Sequence, residues 1–360
     1  MIHTLPVKVK ADSLEGRTEG ERGQIQRRYT KCSLRCAGAF PAWVVGSGFA
    51  TGQELARFFA RYGTGGRWGV LIPLAGFLLT GPALLAAGHD HREEDGFDPF
   101  RWACGPVLGG IYRRLTPAAS VLLLPVLLSG AGAAMGEHWG IDRRMGAALM
   151  AAAVLAAWRA GFQRYSGAAA LAAPAVALFS MAVAGLTVLR GETLPAAPAV
   201  PGWAESSVLY LSMNCWGASA YHCRLGASTA ERRAAVWGGA LGALLLGGAI
   251  GLMSAAIAGS PGAMAMEVPA LYLAERLSPA LGGVFAWVLL LGIFSSCCAM
   301  LWTVCPGERD GGRAGAAVLT ALLLGRLPFG ELVARLYPLL GWAGLPFVLC
   351  VLVRNTTGRR

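Results

Sequence analysis

Val44-Val45-Gly46-Ser47-Gly48-Phe49-Ala50-Thr51-Gly52-Gln53-Glu54 is a polar, glycine-broken run set inside the first apolar stretch of the chain. A helix crossing lipid satisfies its backbone N–H and C=O groups internally. A segment that invites unwinding at membrane depth therefore survives only where protein or a water-filled cavity surrounds it. Interrupted spans of this kind mark substrate sites in transporters.

The chain has 360 residues, 55% of them hydrophobic and 14% charged, with a mean hydropathy of +0.52. Charges this sparse cannot cover a soluble globule of that size, and they cluster between long apolar runs, so the composition predicts an all-α integral membrane protein. The net charge of +11 sits mostly in the N-terminal region and short loops, without interleaved aromatic residues. That distribution fits membrane topology rather than nucleic-acid binding. Nine cysteines are an odd count, and Cys215, Cys223, Cys297, Cys298, Cys305 and Cys350 lie in or beside apolar runs, where cysteine acts as a small hydrophobe. No Ser-His-Asp set, P-loop or zinc spacing occurs, so neither catalytic residues, a bound cofactor nor ATP-driven pumping is expected.

Apolar runs near the length that crosses a bilayer, about 20 residues, number ten. They cover 36–60, 68–88, 115–138, 145–161, 167–189, 205–223, 234–259, 281–304, 314–326 and 334–353, the ninth being short. Residues 1–35 form a polar, basic tail expected to be disordered; no apolar core of a signal peptide follows within them. Residues 354–360 form a second basic tail. If the N-terminal tail is inside, 22 lysines and arginines fall on its side and eight opposite, which places both termini in the cytoplasm of a multi-pass protein of the inner (plasma) membrane.

The sixth span reads Leu209-Tyr210-Leu211-Ser212-Met213-Asn214-Cys215-Trp216-Gly217, polar and glycine-containing at its middle. Five spans back lies the broken first span. Interrupted segments at corresponding positions point to two inverted repeats, here 36–190 and 205–353 with a Pro-rich connection at 191–204.

Gly46, Ser47 and Gly48 would open backbone donors toward a substrate at the start of the following half-helix; alternatively Gly48 and Gly52, four apart, form a close-packing face. Glu54, about one turn further, carries a coupling proton, pairs with Arg57, or sits near the outer water layer. Tyr210 and Asn214 share one helix face and suit polar substrate groups, although Asn214 also suits the capping of released carbonyls. Ser295 and Ser296, midway along the eighth span, are either hard ligands for sodium or serines bonded back to their own helix. His89-Asp90-His91 with Glu93, Glu94, Asp95 and Asp98 reads as a solvated loop, and His138 and His222 as interfacial residues.

The Val45–Glu54 run, Phe58-Phe59 to Gly63, Gly130-Ala131-Gly132-Ala133, Tyr210 to Asn214, Glu267-Val268-Pro269-Ala270-Leu271-Tyr272 and Ser295-Ser296 follow one another in an order that resembles the YkvI-like bacterial membrane proteins. That group is a branch of the amino acid, polyamine and organocation transporter superfamily. The resemblance implies a LeuT-like fold of two inverted five-helix repeats with helices 1 and 6 broken at the midplane. It places Gly46, Ser47 and Gly48 against substrate, with contacts from Tyr210 and Asn214. It also implies a candidate Na+ position formed by Ala42, Val45, Gly292, Ser295 and Ser296. Pro41 and Arg35 in the first half-helix depart from the pattern.

The expected function is secondary transport of a small polar, amino-acid-like solute by alternating access, coupled to Na+ or H+; the alternative is a ligand receptor on the same fold, as in spore-germination relatives of the superfamily. The expected partners are a small solute and the lipid bilayer. Reporter fusions test the topology: positions 142 and 266 should report outside, and 92, 230 and 310 inside, with the reverse pattern overturning the orientation.

Overall fold

The computed structural model describes residues 19–45, 47–94, 96–160, 162–191, 197–305 and 311–357. Its regular structure is helical: α1 Glu19–Ala39, a 3-10 turn Phe40–Trp43, α2 Ser47–Thr51, α3 Gln53–Phe58, a 3-10 turn Ala60–Tyr62, α4 Thr64–Gly69 and α5 Leu71–Asp90. α6 Pro99–Trp139, α7 Arg143–Ala160 and α8 Phe162–Leu189 follow. After the connection come α9 Trp203–Ala227, α10 Arg232–Ala258, α11 Pro261–Ala265, α12 Pro269–Leu277, α13 Pro279–Val304, α14 Gly311–Leu324 and α15 Phe329–Thr357.

Local chemistry sets these boundaries. Asp98 caps α6 by accepting from the N–H groups of Phe100 and Arg101 at 2.9 and 3.3 Å, and Pro99 takes the first helical position. Proline likewise opens α11, α12 and α13, where its missing N–H costs no helical bond. α6 begins well before the 115 read from sequence and kinks at Gly105, whose φ of 75° and ψ of −177° are not helical. Gly140, at φ 67°, ends it.

Five helical stretches among the described residues are long and apolar enough to cross a membrane: Thr64–Asp90, Pro99–Trp139, Arg232–Ala258, Pro279–Leu301 and Phe329–Thr356. Leu178, Trp237, Leu245, Trp287, Leu319 and Leu349 are exposed on the outside of the bundle. In water such a surface is a liability, and in a bilayer it meets acyl chains.

Three expectations need correction. Helix α1 starts at Glu19, so much of the tail expected to be disordered is helical and runs without interruption into the first apolar stretch; residues 1–18 lie outside the described residues. The basic C-terminal segment is also helical as far as Thr357. The sixth span is not broken: α9 is one continuous helix. Its polar side chains bond back into it, Ser207 to Trp203, Ser212 to Val208 and Asn214 to Tyr210, so none of them props the backbone open. Gly217, which suggested a break, is small because the indole of Trp43 occupies the place of a side chain.

α9 is packed tightly on two sides. A Cβ at Gly88 would strike the Cys223 carbonyl and one at Gly226 the Leu85 carbonyl, so α5 and α9 touch backbone to backbone. On the other side Gly341 and Gly344 bring α15 against the carbonyls of Leu209 and Ser212. Close approach through small residues is how helices associate in lipid, where there is no hydrophobic drive between them. The remaining pairings include α1 with α10, α5 with α10, α6 with α13 and α15, α13 with α8, α6 with α14, α13 with α7, α8 with α10, and α15 with α5. The Pro-rich connection returns over the 3-10 turn at 60–62, where Thr64 N–H donates to Ala197 at 2.8 Å and Val200 N–H to Tyr62 at 3.2 Å.

Gly226→Leu should abolish folding in detergent because Leu85 backbone cannot retreat, whereas Gly248→Ala, with open space at its Cβ, should stabilise by about 0.5–1 kcal/mol. Thermal denaturation of the two purified variants checks both signs.

Candidate functional site

The first span is interrupted, as its glycines suggested. α1 ends at Ala39, tightens into a 3-10 turn holding Pro41, and passes through Val44 and Val45 before α2 begins at Ser47. Gly46 lies outside the described residues. α2 lasts five residues, Thr51 hydroxyl donates to the Gly48 carbonyl at 2.7 Å, and Gly52 turns the chain into α3 with a φ of 80°. That left-handed conformation and the neighbours of Gly52, Ile257 at 3.0 Å and the Ala270 nitrogen at 3.1 Å from a built Cβ, leave room only for glycine.

An interruption releases carbonyls that must find donors. Tyr221 hydroxyl donates to Ala39 carbonyl at 2.8 Å, and His222 Nε2 donates to Phe40 carbonyl at 3.2 Å, both from α9. The imidazole also stacks on Phe40 with centroids 4.1 Å apart. His222 is therefore a fully buried cap and not the interfacial residue its place near the end of the sixth span implied.

Glu54 is buried as well, at 7% exposure, which excludes the outer water layer as its surroundings. A Cβ on Gly48 would fall on Glu54 Oε1, so the carboxyl lies directly against the α2 backbone. Tyr337, from α15, hydrogen-bonds the carboxyl from the same side, its hydroxyl 3.0 Å from the same built Cβ. Tyr210, from α9, stands within electrostatic reach of both. Its ring meets Phe58 and Phe59 edge-on, with centroids at 5.5 and 5.0 Å, and its hydroxyl finds no partner among the described residues. Among the described residues Glu54 forms no ion pair with Arg57 or any other base.

The structure thus brings together Gly48, Glu54 and Tyr210, and adds Tyr337. A tyrosine beside Pro338 in the last apolar run was the available signal, but an isolated phenol has no local signature. Asn214 is buried on the face of Tyr210 and is spent on that residue's carbonyl at 2.9 Å. Of the candidate sodium ligands, Ala42 and Val45 lie at the break, and Ser295 and Ser296 lie along α13, which packs on α2. Gly292 faces α8, where a Cβ would meet Val176 Cγ2 at 2.6 Å.

A short helical pair covers the break. α11 and α12 are tied to α6 and α7 by Glu137, which accepts from the N–H groups of Glu267 at 2.8 Å and Val268 at 3.2 Å. Arg143 pairs with Glu267 at 2.8 Å, and His138 with Glu275 at 2.6 Å. Beside this clasp, a cavity of about 790 Å³ opens between the ends of α6, α7 and α14, lined by Glu137, Arg143, Arg144, Leu319 and Arg326 among others. None of the residues around Glu54 borders it. The acidic loop after α5 pairs internally, His91 to Glu94 at 2.7 Å, and outward, Asp90 to Arg232 at 2.9 Å.

No protein-family profile matches the chain. It is 23% identical over 328 residues, 88% of its own length and 94% of the relative's, to the protein described as "Uncharacterized membrane protein YkvI" of Bacillus subtilis (strain 168). That similarity, with the apolar helices above, supports a YkvI-like membrane family and places the chain among membrane proteins.

Gly48→Ala puts a methyl group where the Glu54 carboxyl lies. The variant should keep its helical content by circular dichroism while ligand-induced thermal stabilisation falls at least about tenfold in apparent affinity, the cost of about 1.4 kcal/mol of misplaced contact. Wild-type affinity in the folded variant would reject the site.

Proposed function

We propose that the chain is a proton-coupled secondary transporter of a small polar solute, working by alternating access around the break in the first span. The observation that carries this reading is Glu54: a carboxyl buried at an interrupted span, hydrogen-bonded to Tyr337 and without a basic partner among the described residues. Ionisable groups inside spans are costly, and proton relays are among the few roles that repay them.

Ten spans in two inverted repeats, with both termini cytoplasmic, belong to the same proposal. The helix pairings favour it. Exchanging each span with the one five later turns the α5–α9 contact into α10–α1, α6–α15 into α13–α8, α6–α14 into α13–α7, and α8–α10 into α15–α5, all of which occur. The α5–α10 and α6–α13 contacts map onto themselves. A pseudo-two-fold axis of this sort is the architecture in which a site at the repeat interface alternates between the two faces. Proton coupling is preferred to sodium because Gly292 of the implied sodium set faces α8.

Uptake into vesicles, screened over amino acids and amines, tests the reading. Glu54→Gln should flatten the pH dependence of uptake, and the double change Ser295→Ala, Ser296→Ala should leave it intact. Sodium-dependent uptake that the serine change abolishes would move the coupling to sodium. Ligand binding without uptake would favour the receptor alternative.

A further inference from the structure

The groups facing Glu54 define what its charge can meet. The electrostatic partners around it are the phenols of Tyr337 on α15 and Tyr210 on α9. Charged residues on the other elements packed against α3 are engaged elsewhere: Arg61 lies over Tyr62 at 5.5 Å, Glu275 holds His138, and Glu331 holds Arg335 at 3.2 Å. Arg57, on α3 itself, is one turn further along and half-buried. A buried carboxylate with no cation is too costly to persist, so this closed arrangement holds the neutral acid.

A negative charge at Glu54 then exists only while a cation from outside replaces the proton. The ligands on offer are one carboxyl, two phenol oxygens and the aromatic wall of Phe58 and Phe59. Sodium takes several oxygen ligands at once, and this set is poor in them. An ammonium group suits it better, donating to the carboxylate and to the unpartnered Tyr210 hydroxyl while its carbon body lies on the rings.

We infer that a proton and the ammonium group of a small primary amine displace one another at Glu54, so that the cycle is an exchange of organic cation against proton. The step balances: the carboxylic acid loses its proton to water, and the carboxylate so formed pairs with the ammonium, one positive charge leaving for each that arrives. One group that holds either cation, but never both, couples two opposite fluxes without a second site. This inference rests on the reading of the break as the substrate site and adds the class of substrate and the direction of coupling.

The full chain, purified in detergent, is titrated with methylamine, ethanolamine and putrescine, and with propionate and propanol as anionic and neutral controls. Calorimetry in two buffers of different ionisation enthalpy counts protons released. The expected result is one proton released per amine bound, with apparent affinity rising about tenfold per pH unit while the acid is protonated. Glu54→Gln should abolish the release and weaken binding at least about tenfold. Tyr337→Phe, which keeps the carboxyl, should shift the pH midpoint and preserve the one-for-one release.

Binding without proton release, binding undiminished in folded Glu54→Gln, preference for propionate or propanol, or a folded wild-type chain that binds none of the amines each overturns the inference. Proton-linked amine binding without vesicle uptake would leave it standing and end the transporter reading. Proton-coupled uptake of a neutral or anionic solute would do the reverse.

Discussion

Two carbonyls freed where water cannot reach them constrain the rest of this molecule. Breaking a helix inside a membrane leaves backbone acceptors that cost on the order of 1–3 kcal/mol each when buried without a donor. Here Ala39 and Phe40 are answered by Tyr221 and His222, side chains of a helix far along the chain. The caps hold only if α9 lies against the end of α1, which requires a glycine where Trp43 meets α9 and glycines where α9 meets α5 and α15. The interruption and the small-residue seams are thus two parts of one solution: the break makes polar ends, and close packing brings the groups that cover them.

The same economy governs the polar cluster beyond the break. Glu54, Tyr337 and Tyr210 come from three helices and meet at the one glycine of α2, Gly48, whose missing side chain leaves the carboxyl its place. Apolar packing surrounds them: Phe58 and Phe59 are buried against Tyr210, and Ile257 closes on Gly52. In such surroundings the ionisation of one carboxyl changes the energy of the whole arrangement, which is what a coupling group needs and a structural one avoids.

Much of this was legible from residue order because the signals are local. The apolar runs gave the helices, and Gly46 to Gly52 gave the break, since a cluster of glycines in an apolar span has few other meanings. Gly217 misled because glycine serves unwinding and close packing alike, and Trp43, which decides between them, is distant in sequence. The capping role of His222, the phenol of Tyr337 and the hold of Glu137 on residues 267 and 268 were illegible for the same reason: each depends on a partner more than a hundred residues away. The helical start at Glu19 escaped notice because a polar helix carries no apolar stripe to announce it.

The brevity of α2 and α3 has a mechanical meaning. At 1.5 Å per residue the six residues of α3 make a lever about 9 Å long, hung from the left-handed turn at Gly52. Rotating so short an arm by about 10° carries its end about 1.6 Å, already enough to part a hydrogen bond. Motion on that scale asks nothing of the glycine seams beside it, whose backbones have no slack to give. The energy of a gate so built is set by one carboxyl and two phenols, and its stroke by the length of a single helical turn and a half.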